Sequence, residues 1–310
     1  MPGIGVINNP KSRQNQKHPK RIKTLGYILG TEGSSKATNS LDELEDCLKD
    51  FKKRKIDILA INGGDGSNHL TLTKLIEVYK KQPLPKIALL RGGTLNTIST
   101  SFGIKGDPKY LLHNLSYKYA EGLPFETHQA DLMNVNGKYC FLFGNGFVAN
   151  FMHTYYKTGT PSPWQGIKTA AKGIASAIVN GKLVKEWFRP VHAKVTVDGN
   201  DLGITRFSSM LSGTMEDIGV GFKPWNRAFD VPNTFHIHFM DCSPFDLLPD
   251  VPLIWFGRPI HPKCTQEFLA KHVTIEAEEG FHYTQDGDMY FCEDGKMDIS
   301  LGPRIEIIIS

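Results

Sequence analysis

The order of apolar and polar positions over the first 125 residues predicts strands and helices in alternation. Short apolar runs that end at a turn or a glycine pair are typical of buried strands. Apolar residues recur at helical spacing from residue 41 to 51, after Asn39 or Ser40 as a cap, and a second helix is predicted from about 67 to 81. This alternation of strands and helices indicates a parallel α/β sheet. The predicted strands are residues 3–8, 25–29, 56–61 and 86–90.

The pattern changes near residue 127, after which strand-like runs dominate. Asn136-Gly137, Asp198-Gly199 and Asp294-Gly295 supply turn dipeptides, so this half is predicted to be mainly antiparallel. A basic stretch at 165–188 is predicted to be helical, and a second interruption at 245–256 is apolar. With roughly 150 residues per domain, the predicted domains are 1–126 and 127–310. The strands predicted in the second are residues 139–143, 193–197, 235–240, 272–277, 290–291 and 305–309.

Composition narrows the class of protein. Hydrophobic residues make up 40% of the chain and charged residues 22%, which is ordinary for a globular protein. The cysteines number 5 and form no C-x-x-C pair, which argues against a disulfide framework or a zinc ribbon and favours a reducing cytoplasm. No apolar run approaches the roughly 18 residues of a membrane span, so we expect a soluble or peripheral protein.

The net charge of +4 is unevenly distributed. Residues 11–23 carry +6 and residues 151–190 carry +5, which leaves −7 on the remainder. Two basic segments on an acidic body predict two anionic partners or one large one.

The strongest local signal is a buried strand that runs into Gly63-Gly64-Asp65-Gly66-Ser67 and then a helix. Glycines let the backbone approach a ligand, and amides at a helix N-terminus attract phosphate, although a tight turn alone would also explain them. Asp65 would repel bare phosphate, so it fits best as a Mg²⁺ ligand or as a proton acceptor.

Two further loops follow predicted strands. One comprises residues 91–96 and the other residues 8–12, beside the basic segment 11–23. Because open α/β sheets bind ligands at the carboxyl ends of their strands, we expect these loops to converge on one crevice.

The remaining candidates lie in the second half. Asp286-Gly287-Asp288 is either an acidic hairpin turn or a source of a base or metal ligand. His236 and His238 lie on one face of a predicted strand, and a structural role is favoured because no third metal ligand is near in sequence.

Taken in order, these motifs resemble the diacylglycerol kinase catalytic-domain family, bacterial lipid kinases with relatives that act on sphingosine and ceramide. The glycine motif alone is shared with NAD kinases, but the ordered set is specific and covers nearly the whole chain. The matching motifs are Asn9-Pro10-Lys11-Ser12, Gly63-Gly64-Asp65-Gly66-Ser67, Gly93-Thr94-Leu95-Asn96, Ala130-Asp131-Leu132, Gly144-Asn145-Gly146-Phe147, Gly219-Val220-Gly221-Phe222-Lys223-Pro224 and Asp286-Gly287-Asp288.

The resemblance implies an α/β fold class: an N-terminal parallel-sheet nucleotide-binding domain, a C-terminal mainly antiparallel β-sandwich, and an active site in the cleft between them. It implies Mg²⁺ as cofactor and ATP as co-substrate. The implied ATP-binding residues are Asn9, Pro10, Lys11, Ser12, Thr31, Gly63, Gly64, Asp65, Gly66, Ser67, Gly93, Thr94 and Asn96.

The family also implies catalytic and metal-binding residues. Its C-terminal D-G-E carboxylates act near the transferred phosphoryl group, a role that falls on Asp286 and Asp288, whereas in sphingosine-kinase relatives the base corresponds to Asp65. Asp65 and Asp131 are the implied metal ligands. The sequence departs from the bacterial pattern at three of these motifs: His69 and Leu70 replace Asn-Glu, Thr97 replaces an aspartate, and Asp288 replaces a glutamate.

The predicted function is ATP-dependent transfer of the γ-phosphoryl group to the hydroxyl of diacylglycerol or of a sphingoid or ceramide lipid. A soluble kinase of the NAD-kinase type and a catalytically weak nucleotide- or lipid-binding protein are the alternatives. The predicted partners are ATP, a lipid acceptor and the inner membrane face, reached from the cytoplasm. A homodimer is an option, and no nucleic-acid partner is predicted. The basic stretch with Trp164 and Trp187, and the apolar stretch 245–256, are the candidate docking surfaces.

Overall fold

The computed structural model describes residues 3–31, 33–157, 163–179, 181–218, 222–261, 263 and 265–309. Gly219-Val220-Gly221 of the sixth motif and Cys264 lie outside the described residues. The chain divides into two compact units, which are Met1–Ala130 with Arg304–Ser310, and Asp131–Pro303. The division predicted from sequence lay at residue 126 and kept the last residues with the second domain.

The helices and strands follow one another in two runs. The first run is β1 (Ile4–Asn8), α1 (Arg13–Lys17), α2 (Lys20–Leu29), β2 (Gly33–Ala37), α3 (Leu41–Arg54), β3 (Ile58–Asn62), α4 (Asp65–Tyr79), β4 (Lys86–Leu89), α5 (Thr97–Ser101) and α6 (Pro108–Ala120). The second run is β5 (Thr127–Val135), β6 (Lys138–Cys140), β7 (Leu142–Gly146), α7 (Phe147–Lys157), α8 (Pro163–Ile178), α9 (Lys182–Trp187), β8 (Val191–Val197), β9 (Asn200–Asp201), β10 (Arg206–Phe207), β11 (Ser209–Gly213), β12 (Phe235–Met240), α10 (Pro244–Leu247), a 3₁₀ helix (Leu248–Asp250), α11 (Val251–Trp255), β13 (Thr265–Ala270), β14 (His272–Ala277), β15 (Phe281–Gln285), β16 (Asp288–Cys292) and β17 (Lys296–Ile308).

The first unit is built on a parallel sheet with the strand order β2-β1-β3-β4-β17. The strands β1 and β3 are buried along their whole length, because helices cover both faces of such a sheet. The register pairs Ile4 with Ile58 and Ile87 with Ile307, so the last strand of the chain completes this sheet. The parallel α/β sheet predicted for this region is confirmed.

One predicted strand of this unit is wrong. Residues 25–29 lie in α2, where Leu25 and Leu29 are buried four positions apart while Tyr27 is 83% exposed. A spacing of four places both leucines on one helical face, which packs against the sheet. The strand lies instead at Gly33–Ala37, whose polar and small residues carry no strand pattern in the sequence.

The second unit is a β-sandwich. One sheet has the strand order β13-β12-β11-β7-β15-β16, with every neighbouring pair antiparallel. The other has the order β10-β8-β14-β17, with β5 beside β17. Phe143 and Ile237 from the first sheet share one buried cluster with Val195, Ile275 and Ile299 from the second. The predicted mainly antiparallel sandwich is therefore confirmed.

The basic segment 165–188 is helical, as predicted, and forms most of α8 and all of α9. Trp187 does not lie on a surface: it is 4% exposed, its ring packs against Phe147 and Phe151, and its indole N–H donates to Thr154 Oγ1 (2.8 Å). Trp164, by contrast, is 64% exposed. Among the helices of the described ranges, none has the length and apolar character needed to cross a bilayer.

Candidate functional site

Three loops meet at the carboxyl ends of β1, β3 and β4 in the first unit. Asn9 Nδ2 donates to Ser67 Oγ (2.8 Å) and so joins the β1 loop to the β3 loop. Ser12 Oγ donates to the carbonyl oxygen of Gly92 (3.1 Å) and joins the β1 loop to the β4 loop. The structure therefore brings together the three loops that the sequence predicted to converge.

The β3 and β4 loops approach each other so closely that only glycine fits. A Cβ built on Gly93 would lie 2.3 Å from the Cα of Gly64, and one built on Gly63 would lie 2.2 Å from the Cβ of Ser67. No side chain can occupy such a contact, because real Cβ atoms do not approach other heavy atoms below 3.0 Å. The glycines thus keep two backbone segments side by side at the strand ends, where backbone amides can face a ligand.

Asparagine side chains hold the base of these loops together. Asn15 Nδ2 donates to the carbonyl oxygens of Asn9 (2.9 Å) and Asn62 (3.1 Å), and Asn62 Nδ2 donates to Asn8 Oδ1 (2.8 Å). Asn8, Asn15 and Asn62 are fully buried or nearly so. Sequence reasoning missed Asn15 and Asn62. Asn62 left one signal, a polar residue that ends an apolar run directly before the glycine pair.

Asp65 lies at the first position of α4, and its carboxylate reaches the start of α5. Oδ2 accepts the amide of Thr97 (3.0 Å) and Oδ1 accepts the amide of Ile98 (3.1 Å). Burial raises the pKa of Asp65 above its ordinary value, while the amide hydrogen bonds from Ile98 and Thr97 oppose that rise. A raised pKa makes the carboxylate a stronger proton acceptor. It also brings the pKa closer to the operating pH, where acid–base groups work best.

The β4 loop is shaped by two residues with left-handed backbone angles, Arg91 (φ 56°) and Asn96 (φ 52°). Asn96 stabilises its own turn: Oδ1 accepts the amide of Gly93 (3.0 Å) and Nδ2 donates to the Gly93 carbonyl (3.2 Å). The Arg91 guanidinium donates to the carbonyl oxygen of Ile104. Thr94 is exposed at the tip of the loop.

The basic segment 11–23 divides into two parts. The Lys11 ammonium donates to the carbonyl oxygen of Asn39 (2.7 Å), and the Lys11 amide closes a turn onto Asn9 Oδ1 (2.9 Å). The later residues Lys17, Lys20 and Arg21 line a separate pocket of about 370 Å³ together with Lys109. Only the first part of the segment therefore belongs to the strand-end loops.

Thr31 does not join the strand-end site. Thr31 precedes β2. Because Gly33 pairs with Ile4 in a parallel register, this turn lies beside the start of β1, at the opposite end of the strands from the site. Five strand residues at about 3.3 Å each separate the two edges. The residue that follows β2 at the site edge is Thr38, whose amide donates to the carbonyl oxygen of Asn8 (3.0 Å).

In the second unit, Asp286 and Gly287 form the turn between β15 and β16, with φ of 47° and 92°. Asp286 is buried, and its Oδ1 accepts the amides of Leu142 (2.8 Å) and Phe141 (3.1 Å). Tyr156 Oη donates to the carbonyl oxygen of Gly287 (2.7 Å). The hairpin turn expected for this D-G pair is therefore present. The catalytic roles implied for Asp286 and for Asp288, which opens β16, stay predictions.

Asp131 lies on β5, and its Oδ2 accepts the amide of Asn233 (3.2 Å). Its assignment as a metal ligand stays a prediction. Asp65 is the carboxylate that the strand-end loops of the first unit present, and carboxylate oxygen is the donor that Mg²⁺ prefers. Asp65 therefore offers the donor type that Mg²⁺ takes, and the magnesium ion and the nucleotide stay predictions.

The fold and the strand-end site define a class: a glycine-lined parallel α/β unit followed by an antiparallel sandwich. The chain is similar to a solved diacylglycerol kinase from Bacillus anthracis str. Sterne, at 16% identity and a TM-score of 0.66, over 99% of this chain and 97% of that chain. A second structure from that strain, provisionally named a diacylglycerol kinase, matches at 16% identity and a TM-score of 0.71 over the same shares. At this identity the two structures establish the fold. Among curated proteins, none matches the sequence.

Residues 3–123 match the family model described as the diacylglycerol kinase catalytic domain. The match thus supports the diacylglycerol kinase catalytic-domain family for this N-terminal region, as the ordered motifs indicated.

Proposed function

We propose that this protein is an ATP-dependent lipid kinase that transfers the γ-phosphoryl group of ATP to a lipid hydroxyl. The observation that carries the proposal is the convergence of three strand-end loops, with Gly64 packed against Gly93 and the Asp65 carboxylate beside them. Phosphoryl transfer depends mainly on positioning and on electrostatic stabilisation, and this arrangement supplies both. The family match supports a kinase, and the nucleotide and the acceptor are our inference.

The nucleotide phosphates would lie over the two glycine loops. The helix α4 begins directly after Gly64, and its first amides carry the partial positive charge of a helix N-terminus. The Ser67 hydroxyl and the exposed Thr94 hydroxyl would add polar contacts at the same edge. Because Gly63 and Gly93 carry no side chain, the two loops pack closely and present backbone at the place where the phosphates would lie.

Asp65 would act on the acceptor hydroxyl or hold the metal. As the hydroxyl oxygen bonds to the γ-phosphorus, the bond to the β–γ bridging oxygen breaks, ADP leaves and the hydroxyl proton passes to a carboxylate. A magnesium ion bound with ATP supplies charge neutralisation of the phosphates. The raised pKa of Asp65 favours proton acceptance, and its two amide hydrogen bonds fix the direction of the carboxylate.

A lipid acceptor has to be reached in a membrane, and the second unit carries a surface suited to one. On α8, Trp164 (64% exposed), Ile174 (49%) and Val179, just beyond the helix (74%), are apolar, while Lys168 and Lys172 are exposed cations. The Lys168 ammonium lies 5.7 Å from the centre of the Trp164 ring. We name Trp164, Lys168, Lys172 and Val179, which share one side of the helix, the α8 face and propose that it binds anionic lipid, because cations beside interfacial aromatic residues suit that surface.

The transfer reaction is tested with the full chain, ATP and Mg²⁺ against diacylglycerol, ceramide, sphingosine and NAD in parallel. We expect phosphate to appear on at least one lipid and not on NAD. Transfer to NAD alone would overturn the lipid assignment. ATP binding without transfer to any acceptor would instead identify a binding protein, the one alternative that a structural observation favours, since both Asp65 carboxylate oxygens already accept amides.

The α8 face is tested by sedimentation with vesicles of phosphatidylcholine, with and without phosphatidylglycerol. We expect binding that needs the anionic lipid, weakens with salt, and falls at least threefold in Trp164→Ala and in the double variant Lys168→Glu, Lys172→Glu. Tyr27→Ala, which removes an aromatic side chain that is 83% exposed in the first unit, is the matched control and should bind normally. Equal loss in the control would refute a role for α8.

A further inference from the structure

Two histidines of β12 lie on the side of the sheet that faces away from the sandwich core. Phe235, Ile237 and Phe239 alternate with them along the strand and belong to the core cluster. Because side chains alternate across a strand, His236 and His238 point to the opposite face. Both are fully buried there, at 0% exposure.

The neighbouring strand brings a carboxylate to the same place. In the antiparallel pairing of β12 with β13, Glu267 lies directly opposite His238. Its Oε2 is 3.4 Å from His236 Nε2 and 4.0 Å from His238 Nδ1. Within the described ranges this is the cluster of three potential metal ligands, with its donor atoms all within 4.8 Å of one another.

These distances suit a small transition-metal ion. Zinc binds nitrogen and carboxylate oxygen at about 2.0–2.1 Å in tetrahedral geometry, which sets its ligands about 3.3–3.4 Å apart. The His236–Glu267 separation already has that value. The distance from His238 Nδ1 to the same oxygen is 4.0 Å, about half an ångström longer, and side-chain rotation can shorten it. Two imidazoles with one carboxylate form a ligand set that zinc and related ions accept.

Hydrogen bonding fixes the protonation of His238. Its Nε2 lies 2.9 Å from the carbonyl oxygen of Pro224, which can only accept, so Nε2 carries the hydrogen. In a neutral ring Nδ1 then carries a lone pair and no hydrogen. This nitrogen has no hydrogen-bond partner, and it faces the Oε2 atom of Glu267. Two electron-rich atoms that face each other in a buried place are stabilised by a cation between them.

The contact with Pro224 is also the second-shell pattern of metal-binding histidines, which donate their other ring N–H to a carbonyl or carboxylate. His236 differs, because its Nδ1 lies 3.4 Å from the amide of Arg227. Binding through Nε2 moves the ring hydrogen to Nδ1, so this long contact has to open. Glu267 keeps its other oxygen, Oε1, on the Arg227 guanidinium (3.3 Å), which in turn pairs with Asp230.

We propose that His236, His238 and Glu267 bind a zinc ion on the outer face of the sheet that contains β12 and β13, with the fourth position open to water. The ion would tie β13, the edge strand of this sheet, to β12. The site is independent of phosphoryl transfer, and sequence reasoning favoured a structural role for the histidines because Glu267 lies 29 residues beyond His238.

The proposal is tested with the full, untagged chain after chelator treatment. Zinc binding is measured by calorimetry, and Co²⁺ is used as a stand-in whose visible absorption reports tetrahedral nitrogen and oxygen ligands. We expect one zinc ion per chain, with affinity at least tenfold weaker in Glu267→Gln and in His238→Gln. His192→Gln, an exposed strand histidine outside the cluster, is the matched control and should bind as the native chain does.

Arg227→Gln sharpens the test. The guanidinium competes for Glu267, so its removal should leave zinc affinity unchanged or raise it. Native zinc binding no tighter than that of Glu267→Gln, or equal loss in His192→Gln, would overturn the site. If His238→Gln does not fold, Glu267→Gln and the native Co²⁺ spectrum decide, because Glu267 is partly exposed and keeps its shape as glutamine.

Discussion

Asp65 in the first unit and Asp286 in the second stand in similar sequences and make similar contacts. Each is followed by glycine, and each carboxylate accepts two backbone amides from distant parts of its own unit. They differ in what holds the backbone. At Asp65 the neighbouring glycines and the start of α4 set the loop, whereas Asp286 itself adopts the left-handed angle that makes a two-residue hairpin turn.

The backbone around Asp65 holds that side chain in place, whereas Asp286 itself stabilises the turn in which it lies. Removing the charge of Asp65 leaves its loop in place, because Gly63, Gly64 and Gly93 still pack together. Removing the charge of Asp286 weakens the hydrogen bonds that its carboxylate accepts from the amides of Phe141 and Leu142. A D-G pair that ends a parallel strand is therefore a stronger functional signal than a D-G pair in a hairpin.

The largest expected effect is that of Asp65→Asn. Transfer of phosphate from ATP should fall by about 10²–10⁴-fold, as for other losses of an acid–base or electrostatic group. ATP affinity should change only a few-fold, because the glycine loops remain. Steady-state kinetics with separate ATP-binding measurements check this, and full activity in the variant would remove Asp65 from the mechanism.

The buried histidines of the second unit and Asp65 of the first should change the free energy of unfolding in opposite directions as the pH falls. Burial lowers the pKa of His236 and of His238 to about 4, below the ordinary 6.5. The unfolded chain takes up these protons first, so the stability they confer is complete above pH 6.5 and is lost as the pH falls toward 4. A shift of this size corresponds to about 3 kcal/mol per histidine at about 1.4 kcal/mol per pKa unit. For Asp65, whose pKa is raised, the contribution is instead lost as the pH rises.

This prediction is checked by denaturant unfolding in chelator between pH 4 and 7. His238→Gln should flatten the fall in stability on the acid side, while His192→Gln should not. An unchanged slope in His238→Gln would show that the buried histidines titrate normally.

Asp286→Asn tests whether the Asp286 carboxylate stabilises the second unit through its hydrogen bonds. We expect a loss of about 1–2 kcal/mol, because the asparagine oxygen still accepts but lacks the charge that strengthens both hydrogen bonds. Hydrogen exchange of the Phe141 and Leu142 amides should accelerate accordingly. Loss of phosphate transfer with unchanged amide protection would instead support the catalytic role that the family resemblance implies for this residue.

Tyr156→Phe should have the smallest effect. It removes the hydrogen bond from the tyrosine hydroxyl to the carbonyl of Gly287, at a cost of about 1 kcal/mol. Since that carbonyl belongs to the 286–287 turn, exchange at Asp288 should rise while exchange at Thr97 and Ile98 stays constant. Faster exchange at both places would contradict the independence of the two aspartate environments.

The predictions from sequence were most accurate where the residues of a short segment themselves determine its conformation. Buried strands before glycine pairs, the α3 helix capped by Ser40 and the D-G turns follow from short-range physics, and the structure confirms them. Residues 25–29 were misread because four apolar positions in a short run suit both a strand and one face of a helix.

The remaining misses depend on pairing between distant segments. Asn15 reaches the site only because β1 and β3 are neighbours. Glu267 meets two histidines only through the register of β13 with β12. Trp187 looks like a membrane anchor in sequence and is buried by helices α7 and α8, where Gly173 leaves space for its ring. No single-sequence pattern encodes which strands pair or which helices cover them.

The path of β17 has a consequence for how the protein is made. Its first part belongs to the sandwich, and the residues from Arg304 onward form the parallel strand beside β4, with Ile305, Ile307 and Ile308 buried. The first unit is thus completed only after the second, since its fifth strand follows every strand of the sandwich along the chain. Until then the edge of β4 stays open, and a fragment ending near residue 130 would keep that edge exposed and prone to pair with other chains.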